Sequence, residues 1–548
     1  MFREDKVSAQ DRIEETDVIV IGSGAAGLAA ALSARHAGAD VVILERSEKL
    51  GGTTAMSGGV PWIPCNHHMH EVGSSDSREA ALTYLRRQSL GRMDDDMIET
   101  YVDQGSDVIK FIEAQTDIRF RALKWPDYHP ELPGGTYGRS LSAGLFPGEK
   151  LGALRPRLRG SLTFPIPVSS NDLEDGVDIF DPAIIGERLE KGLVGVGNAL
   201  VAGLAASLVE KGVHILFGMR AQGLIMQDGA VTGVTGSQNG EPFQMRTGRG
   251  VIIASGGFEW NAGLVKDLLR GPHEGAASPS DNEGDGLLMA AEAGAALANT
   301  DEAWWMPIMK IPGEEYEGKP AIRFAVTELT KPGSIMVNRK GQRFVNEACN
   351  YNDLGRSFFQ FDPQTFNYPN REAWIIFHHA YLDKYPVLTR YPGDPVPSWM
   401  VQAATLRELA DQIGVDADGL ERTVQQFNET AREGADPQFH RGESQYDRYH
   451  GDWALEGPFQ TVGPLDQPPF YACRVYPGVL GTKGGPKISV RAEVQNLRGG
   501  HIPGLYAAGN AAAGITGMAY PGAGGTIGPA LVFGHIAGRE AAVRTNRR

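Results

Sequence analysis

A glycine-rich turn between two apolar segments near the N-terminus constrains the fold of this chain more than any other feature. Residues 17–59 read DVIVIGSGAAGLAAALSARHAGADVVILERSEKLGGTTAMSGG. An apolar run ending at Ile21 predicts a buried strand, and G-x-G-x-x-G, an alanine-rich helix and a second apolar strand ending at Glu45 follow it. This order of strand, glycine turn, helix, strand and acid is the dinucleotide-binding fingerprint of a Rossmann-like unit.

Each glycine of the turn has its own physical role. Gly22 allows the tight turn, Gly24 lets the backbone approach a pyrophosphate, and Gly27 lets the helix pack closely on the strand. The helix N-terminus then presents free N–H groups and the positive end of its dipole to the phosphates. Glu45 is suited to accept a hydrogen bond from a ribose hydroxyl. The segment therefore predicts a bound dinucleotide.

Composition and charge narrow the class of protein. The chain has 548 residues, which predicts two or more folding units, and its 70 glycines suit a backbone that approaches a large cofactor. A net charge of −15 argues against nucleic acid as a partner and against an anionic membrane surface. Three scattered cysteines and an N-terminus without an apolar leader indicate a cytoplasmic protein, free or peripheral to the membrane.

Cofactor-type sequence recurs in residues 192–257 and 504–514. Because these regions lie at both ends of the chain, we predict an α/β fold with a Rossmann-like cofactor domain and an inserted α+β catalytic domain. A second G-x-G-x-x-G is absent from the sequence, so no NAD(P)H site is predicted and electrons leave to a separate acceptor, a quinone or another carrier. The predicted division is 1–300 and 476–548 for the two parts of the cofactor domain and 301–475 for the catalytic domain.

Two stretches need separate interpretation. Residues 125–180 are rich in Pro and Gly, but their aromatic side chains favour an ordered cap. Residues 510–538 contain no Asp, Glu, Lys or Arg and are long enough to cross a bilayer, yet their glycines and prolines favour an irregular buried segment, so no integral membrane segment is predicted. The other predicted elements are a helix over 198–211, a strand over 214–219, a hairpin turning at 228–229, a strand over 251–257, a helix near 406–431 and a final helix through 532–543.

A run of small residues follows Glu45 and bears on whether the cofactor is a flavin or a nicotinamide. Gly51-Gly52-Thr53-Thr54 and Ser57-Gly58-Gly59 can lie flat against an extended ligand. The run resembles the flavoprotein subunits of fumarate reductase and succinate dehydrogenase, where this segment lines FAD. Members with covalent flavin carry a histidine two residues before the position of Thr54. Gly52 occupies that position here, so the resemblance implies non-covalent FAD.

A second resemblance concerns the chemistry. Fumarate reductases protonate with an arginine in a sequence like G-A-N-R-L-G-G-N, whereas residues 517–526 read GMAYPGAGGT and contain Tyr520 instead. This substitution resembles the 3-ketosteroid 1-dehydrogenases, and the similarity covers nearly the whole chain. The segments that carry it are GGTTAMSGGVPWIP (51–64), WPDYHPELPGGTYGRSL (125–141), ASGGFE (254–259), GDGLLMAAEAGA (284–295), IMVNRKGQRFVNEACNY (335–351), LGTKGGPKI (480–488) and YPGAGGTIGPA (520–530).

The resemblance implies an FAD-dependent oxidoreductase of steroid and lipid degradation, which removes hydrogen from C1 and C2 of a 3-ketosteroid. Tyr351 matches the tyrosine that takes the C2 proton, and Tyr520 and the Gly524 N–H match the pair that holds the 3-keto oxygen. Tyr128 matches the tyrosine that assists the base, although Tyr137 lies close to it in the sequence. Two donors on the carbonyl would acidify the neighbouring C–H, and a phenolate base would need a neighbour that stabilises it.

We predict that FAD contacts residues from all three cofactor regions and the segments around them. The predicted contacts are Gly22, Ser23, Gly24, Ala25, Ala26, Gly27, Glu45, Arg46, Gly52, Thr53, Thr54, Ser57, Gly58, Gly59, Ala221, Ala254, Ser255, Gly256, Gly257, Asp285, Gly509, Asn510, Gly525, Thr526 and Ile527.

Other functions on the same fold stay open. A 3-ketosteroid 4-dehydrogenase or an enone reductase is the nearest alternative, and the segment that begins at Tyr520 favours the C1–C2 bond over it. A flavin redox sensor without turnover comes from another class. A fumarate or urocanate reductase is disfavoured because the arginine is missing.

Three further features are weighed as structural. The spacing of Cys65, His67, His68 and His70 matches no known metal site, so no metal ligands are predicted. The pair Trp304–Trp305 fits either core packing or a flat substrate wall, and Lys483 receives no role.

Overall fold

The computed structural model describes residues 15–172 and 174–545, which form two large sheets, four two-stranded sheets and the helices around them. The strands are β1 (Glu15–Ile21), β2 (Val41–Leu44), β3 (Arg121–Ala122), β4 (Leu141–Ser142), β5 (Phe146–Pro147), β6 (Leu193–Val194), β7 (His214–Leu216), β8 (Met219–Gln227), β9 (Ala230–Gln238), β10 (Glu241–Ile253), β11 (Leu297–Ala298), β12 (Ala303–Met309), β13 (Glu315–Tyr316), β14 (Lys319–Pro320), β15 (Arg323–Phe324), β16 (Ser334–Asn338), β17 (Ala373–His378), β18 (Val401–Ala403), β19 (Phe470–Thr482), β20 (Gly485–Pro486), β21 (Glu493–Gln495) and β22 (His501–Ala507). The α-helices are α1 (Ala25–His36), α2 (Gly52–Met56), α3 (Arg78–Ser89), α4 (Asp95–Gln115), α5 (Pro182–Glu190), α6 (Val196–Glu210), α7 (Ala262–Leu268), α8 (Asp285–Glu292), α9 (Thr327–Thr330), α10 (Tyr351–Ser357), α11 (His379–Lys384), α12 (Leu406–Ile413), α13 (Ala417–Ala431), α14 (Gln445–Tyr449) and α15 (Ile527–Val543).

The first sheet draws its strands from distant parts of the chain. Its central strands run in the order β22-β10-β1-β2-β7 and are all parallel, while the β8–β9 hairpin continues from β10. Ile21 is in register with both Leu44 and Ile253, and Ile253 is in register with Ala507. Four central strands therefore end at one edge of the sheet, which is where ligands bind in open parallel sheets.

Helices α1 and α15 pack against each other beside this sheet. Glycines on α15 make the close approach possible, because a Cβ at Gly534 would lie 2.4 Å from the Ala26 oxygen and one at Gly538 would lie 2.0 Å from the Ala30 oxygen. The contact joins the first helix of the chain to the last one. The two ends of the sequence thus form one cofactor-binding core, as the sequence predicts.

The second sheet is antiparallel and comes from the middle of the chain. Its strands run in the order β15-β12-β19-β17-β16, and β18 adds to β19. Helix α10 lies across β12, where Gly355 permits the approach, since a Cβ there would lie 2.6 Å from the Met306 nitrogen. The predicted α/β class with an inserted unit is confirmed. The boundaries at 300 and 475 stay a prediction, and β19 crosses the second of them.

Several predicted elements differ from the structure at positive-φ glycines. The strand predicted over 214–219 ends at Leu216, because Gly218 has a φ of +68° and the next strand begins only at Met219. The single helix predicted near 406–431 is two helices that separate at Gly414, whose φ is +73°. The hairpin turns at Asp228–Gly229 as predicted.

Another strand also differs from prediction at both ends. The strand predicted over 251–257 begins at Glu241 and ends at Ile253. The final helix, predicted through 532–543, spans Ile527–Val543. In residues 510–538, irregular backbone leads into that buried helix. Over residues 15–172 and 174–545, every helix is too short or too polar to span a bilayer.

Candidate active site

A cavity of about 860 Å³ opens between the two sheets at the carboxyl edge of the parallel strands. Its lining includes most of the predicted cofactor contacts and all four predicted reactive residues. The predicted residues that line it are Gly22, Ser23, Gly24, Ala25, Ala26, Glu45, Arg46, Gly52, Thr53, Thr54, Ser57, Gly58, Gly59, Tyr128, Ala221, Ala254, Ser255, Gly256, Asp285, Tyr351, Gly509, Asn510, Tyr520, Gly524, Thr526 and Ile527.

Three predicted contacts do not line this cavity. Gly27 lies against the strand below it, because a Cβ there would be 2.0 Å from the Gly22 oxygen. A Cβ at Gly257 would be 2.2 Å from the Thr482 hydroxyl, and one at Gly525 would be 2.8 Å from the ring of Pro521. These glycines allow close packing around the site.

The glycine turn has the geometry that a pyrophosphate requires. Gly22 has a φ of +105°, and a Cβ there would lie 2.4 Å from the Ala254 oxygen. A Cβ at Gly24 would instead meet nothing closer than the Thr54 hydroxyl at 3.6 Å, so the backbone faces open space. The Ala25 N–H at the start of α1 donates to that hydroxyl at 3.0 Å. The turn therefore fits a dinucleotide such as FAD.

Glu45 is held in place at the end of β2. Its Oε2 accepts from the Ser23 N–H at 3.0 Å and from the Ser23 hydroxyl at 2.5 Å, and its Oε1 accepts from the Ser47 N–H at 2.9 Å. Burial raises its pKa, and these donors act against the rise. A carboxylate fixed this way keeps lone pairs for a ribose hydroxyl.

Four aromatic side chains meet in the part of the cavity that faces the second sheet. The Tyr128 hydroxyl donates to the Tyr351 hydroxyl at 2.8 Å. The Tyr520 ring lies 5.4 Å from the Tyr351 ring and 5.0 Å from the Tyr128 ring, measured between centroids. The Trp304 ring is 4.7 Å from that of Tyr520. Side chains 392 residues apart in the sequence, from Tyr128 to Tyr520, are thus brought together.

Gly524 presents its N–H beside the Tyr520 hydroxyl. Burial raises the pKa of Tyr520, while the hydroxyls of Tyr351 and Thr526 and the Gly524 N–H act against that rise. Gly524 has a φ of +101°, and a Cβ there would lie 2.3 Å from the Val60 oxygen. Within the described residues, its N–H donates no backbone hydrogen bond. One phenol and one amide can therefore donate to the same oxygen of a ligand.

Burial dominates the ionisation of the reactive phenols. It raises the pKa of Tyr351 and that of Tyr128 well above the usual tyrosine value. Both side chains are therefore neutral phenols at neutral pH in the protein alone. Tyr128 lies within hydrogen-bond distance of Tyr351, as the sequence reasoning required, but after burial it adds to the rise of the Tyr351 pKa. Its role in stabilising a phenolate stays a prediction.

Local backbone structure explains how the phenols come together. Tyr351 is the first residue of α10, and the Asn350 side chain caps that helix by accepting from the Asp353 N–H. His129 Nε2 lies 2.7 Å from an Asp353 oxygen, which connects the segment after Tyr128 to α10. The Tyr128 N–H donates to the Pro521 oxygen at 3.0 Å, next to Tyr520.

Two residues of this site were not predicted. Tyr446 of α14 lines the cavity with its ring centroid 5.0 Å from that of Tyr128, and its buried hydroxyl has no partner among the described residues. Lys483 lies behind Trp304, with Nζ 3.9 Å from the indole centroid and 2.6 Å from the Ala519 oxygen that accepts from it. Burial lowers the pKa of Lys483 to about 7. Nothing in the surrounding sequence marks Tyr446.

The two adjacent tryptophans, for which the sequence allowed either core packing or a place in the substrate wall, have one role each. Trp304 lines the cavity and donates from Nε1 to Asn510 Oδ1 at 2.9 Å. Trp305 is fully buried in the core of the second sheet, and its Nε1 donates to Glu302 at 3.3 Å.

Comparisons with known proteins agree with this geometry. A family profile described as FAD binding domain matches residues 17–527. The chain is 41% identical to 4-oxocyclohexanecarboxylate 2-dehydrogenase of Sinomonas cyclohexanicum, over 96% of this chain and 92% of that relative. It is 38% identical to 3-oxosteroid 1-dehydrogenase of Mycobacterium tuberculosis (strain ATCC 25618 / H37Rv), over 98% of this chain and 100% of that relative. The crystal structure of 3-ketosteroid delta1-dehydrogenase from Sterolibacterium denitrificans in complex with 1,4-androstadiene-3,17-dione is similar with a TM-score of 0.89 at 34% identity, covering 96% of this chain and 99% of that one.

Proposed function

The chain belongs to the FAD-binding family of flavoproteins, and on that premise we propose that it is an FAD-dependent oxidoreductase that introduces the C1–C2 double bond of a 3-ketosteroid. The observation that carries the proposal is the convergence of Tyr128, Tyr351, Tyr520 and Gly524 beside the cavity that the glycine turn lines. This arrangement supplies a proton acceptor on one side and two carbonyl donors on the other.

The side chains divide the work as follows. Tyr520 and the Gly524 N–H donate to the 3-keto oxygen and stabilise the negative charge that develops there. Tyr351 takes the proton from C2, and the Tyr128 hydroxyl supports the phenolate that this role requires. When bound, FAD supplies the acceptor for the hydride that leaves C1 with its electron pair. Loss of the proton and the hydride leaves a C1–C2 double bond.

FAD is held without a covalent bond in this proposal. The contacts are the predicted residues that line the cavity, and Gly52 stands where relatives with covalent flavin have a histidine. Glu45 would accept from the ribose, and the N-terminus of α1 would face the pyrophosphate. Gly27, Gly257 and Gly525 act through packing, since a Cβ at each would meet protein atoms.

The rest of the cavity wall favours a large neutral ligand. Besides the reactive tyrosines, the wall carries aromatic and aliphatic side chains, as expected for a steroid. The side chains of this kind are Trp125, Phe164, Phe180, Phe324, Val326, Leu388 and Tyr449. The electrons that FAD accepts would leave to a separate acceptor, a quinone or another carrier, and we place the enzyme in the cytoplasm or at the periphery of the membrane.

One relative points to a second candidate function, dehydrogenation of a small ring ketone that carries a carboxylate. Such a ligand needs an unpaired cation, yet each arginine of the described lining faces a carboxylate: Arg46 lies 2.5 Å from Glu283, Arg323 lies 2.5 Å from Glu314, and Arg159 pairs with Glu317. The wall therefore favours the steroid.

Anaerobic mixing of the purified holoenzyme with ketones tests the function. We expect 4-androstene-3,17-dione to remove the absorbance of oxidised flavin and to become the 1,4-diene. With 5α-androstane-3,17-dione, a 1-ene product supports the proposal and a 4-ene product indicates a 4-dehydrogenase. Reduction by 4-oxocyclohexanecarboxylate alone would favour the second candidate, and reduction by none of these ketones would favour a redox sensor.

A further inference from the structure

A cluster of two histidines and one glutamate lies outside the cavity. His67 Nε2 is 3.1 Å from Glu113 Oε2, and His68 Nε2 is 2.9 Å from Glu113 Oε1. One atom from each of the three side chains lies within 4.8 Å of the other two. Cys65 and His70, which the sequence groups with these histidines, are outside the set. Glu113 belongs to α4, so the cluster joins a loop to a helix.

The ligand atoms lie close enough together to bind one metal ion. The two histidines approach different oxygens of Glu113, since His67 Nε2 is 3.1 Å from Oε2 and His68 Nε2 is 2.9 Å from Oε1. Histidine nitrogen and carboxylate oxygen are both ligands that zinc uses in proteins. His67 and His68 are adjacent in the sequence with ring centroids 4.0 Å apart, so both rings can turn toward one ion.

The surroundings also have the form of a metal site. His68 Nδ1 lies 2.6 Å from Glu71 Oε1, which places a carboxylate on the far nitrogen of the ring. Ligating histidines almost always donate their second N–H to such a group. Glu113 is oriented in turn, because its Oε1 accepts from the Phe120 N–H at 2.9 Å.

His68 lies between two carboxylates. Its Nδ1 faces Glu71 and its Nε2 faces Glu113. An imidazole with one N–H sets a nitrogen lone pair against one of these carboxylate oxygens. A cation bound at Nε2 removes that repulsion.

We propose that His67, His68 and Glu113 bind one divalent transition-metal ion of the zinc class. Two imidazoles and one carboxylate leave a fourth position for water, and the His67 side chain is 31% exposed, so water can reach the site. The three ligands do not line the large cavity. The ion is therefore structural, and it links the loop after Cys65 to α4.

Metal titration of the FAD-containing enzyme tests the proposal. After dialysis against a chelator, we expect calorimetry with Zn²⁺ to give one equivalent bound, and Co²⁺ to give the visible bands of a tetrahedral site at wavelengths beyond the flavin absorption. Glu113→Gln, which keeps the side-chain shape, and His68→Ala should each weaken Zn²⁺ binding by about tenfold or more. Glu71→Gln should weaken it by about ten- to a hundredfold with the stoichiometry unchanged.

His70→Ala is the matched control. His70 is exposed in the same loop, and only its Nδ1 contact with the His67 oxygen is lost, so Zn²⁺ affinity should equal that of the wild type. No Zn²⁺ binding by the wild type, or equal binding by Glu113→Gln and His70→Ala, would overturn the proposal. The tetrahedral Co²⁺ spectrum needs no variant, so the test stands even if a substitution prevents folding.

Discussion

At the scale of single residues, the proposed chemistry depends on two phenols that share a hydrogen bond of 2.8 Å, Tyr128 and Tyr351. Burial raises the pKa of Tyr351, so this side chain starts as a neutral phenol and must lose its proton before it can accept one from a substrate. Tyr128 is the only described hydroxyl that donates to it. The two residues are therefore expected to act together.

The raised pKa of Tyr351 predicts a pH dependence. Turnover should rise with pH by about tenfold per unit while pH stays below that pKa, because the phenolate fraction rises at this rate. Tyr351→Phe should keep its flavin, lower kcat/KM by about a hundredfold or more and remove the pH-dependent rise. The measurement is kcat/KM against pH for both proteins, and a fully active variant would exclude Tyr351 from the mechanism.

The nearby pair Tyr128 and Tyr137 provides a matched comparison. A hydrogen bond to a charged group contributes about 1.5–3 kcal/mol, so Tyr128→Phe should slow turnover by about ten- to a hundredfold. Tyr137 donates to the Gly73 oxygen at 3.2 Å and does not line the cavity, so Tyr137→Phe should leave turnover unchanged. Steady-state turnover rates of the two variants test this. If Tyr137→Phe were slowed and Tyr128→Phe were not, Tyr137 would be the residue that assists the base.

Gly524 is expected to tolerate no side chain. In Gly524→Ala the φ of +101° is unfavourable, and the added Cβ would lie 2.3 Å from the Val60 oxygen and 2.6 Å from the Trp62 nitrogen. Displacement of its N–H removes one carbonyl donor, so kcat should fall by about 10²–10³-fold. Gly186→Ala, in a helix with nothing within 4 Å of the new Cβ, should keep wild-type kcat. Equal activity of the two variants would contradict the donor role.

At the scale of elements, the position of α10 depends on an ion pair with the loop that carries Tyr128. His129 Nε2 lies 2.7 Å from Asp353, and its Nδ1 lies 3.0 Å from Glu131. Burial alone would lower the pKa of His129, but its bonds to Asp353 and Glu131 raise it to about 10. The pair thus stabilises the approach of one reactive segment to the other over a wide pH range.

This ion pair predicts a stability that falls toward alkaline pH. The folded pKa of His129, about 10, exceeds its usual value of 6.5, so its stabilisation is complete below pH 6.5 and is lost as pH rises toward 10. The His129→Gln variant should therefore have a lower free energy of unfolding than the wild type. This difference should be largest below pH 6.5 and should vanish above pH 10. Urea unfolding across this range measures it.

The exposed pair of His440 and Glu443, 2.9 Å apart, serves as the control, because ion pairs on the surface contribute little. His440→Gln should change the free energy of unfolding little at any pH. A deficit for His129→Gln that is constant with pH would show that the side chain acts by packing alone.

Elements whose signal is local could be predicted from the sequence, whereas their breaks could not. The fingerprint strand, its helix and the hairpin at Asp228–Gly229 follow from apolar runs and turn residues within a few positions. The break at Gly414 was missed because the apolar pattern continues through both helices, and only its φ of +73° separates them. Glycine inside a periodic run does not reveal whether it continues the helix or ends it.

At the scale of the whole molecule, the cavity joins segments from the two ends and the middle of the chain. A ligand that binds only the folded state raises stability by about 2.7 kcal/mol at a hundred times its Kd. The unfolding temperature of the flavin-free protein should therefore rise with FAD concentration. FMN, which lacks the adenosine that Glu45 is placed to hold, should raise it less. Equal shifts by FMN and FAD, measured by calorimetry, would contradict the role of Glu45.

The contact between the distant tyrosines could be predicted only from the family resemblance. No spacing in the sequence indicates that Tyr128, Tyr351 and Tyr520 lie together, because the tertiary fold brings their three segments into contact. Tyr446 could not be predicted as a site residue, because it joins the same cluster from α14 and no sequence feature marks it. The His67, His68 and Glu113 group shows it as well, because its third member lies 45 residues from His68.

The separation of the apolar wall from the reacting groups has a consequence for laboratory evolution. Phe324, Leu388 and Tyr391 line the cavity from segments that carry none of the proposed reactive phenols. Randomising these three codons would reshape the space offered to a substrate while leaving the proton-transfer geometry intact. Such a library is expected to yield catalysts for bulkier or smaller ketones. Codon 524 should stay fixed, because a substitution of Gly524 is expected to inactivate the enzyme.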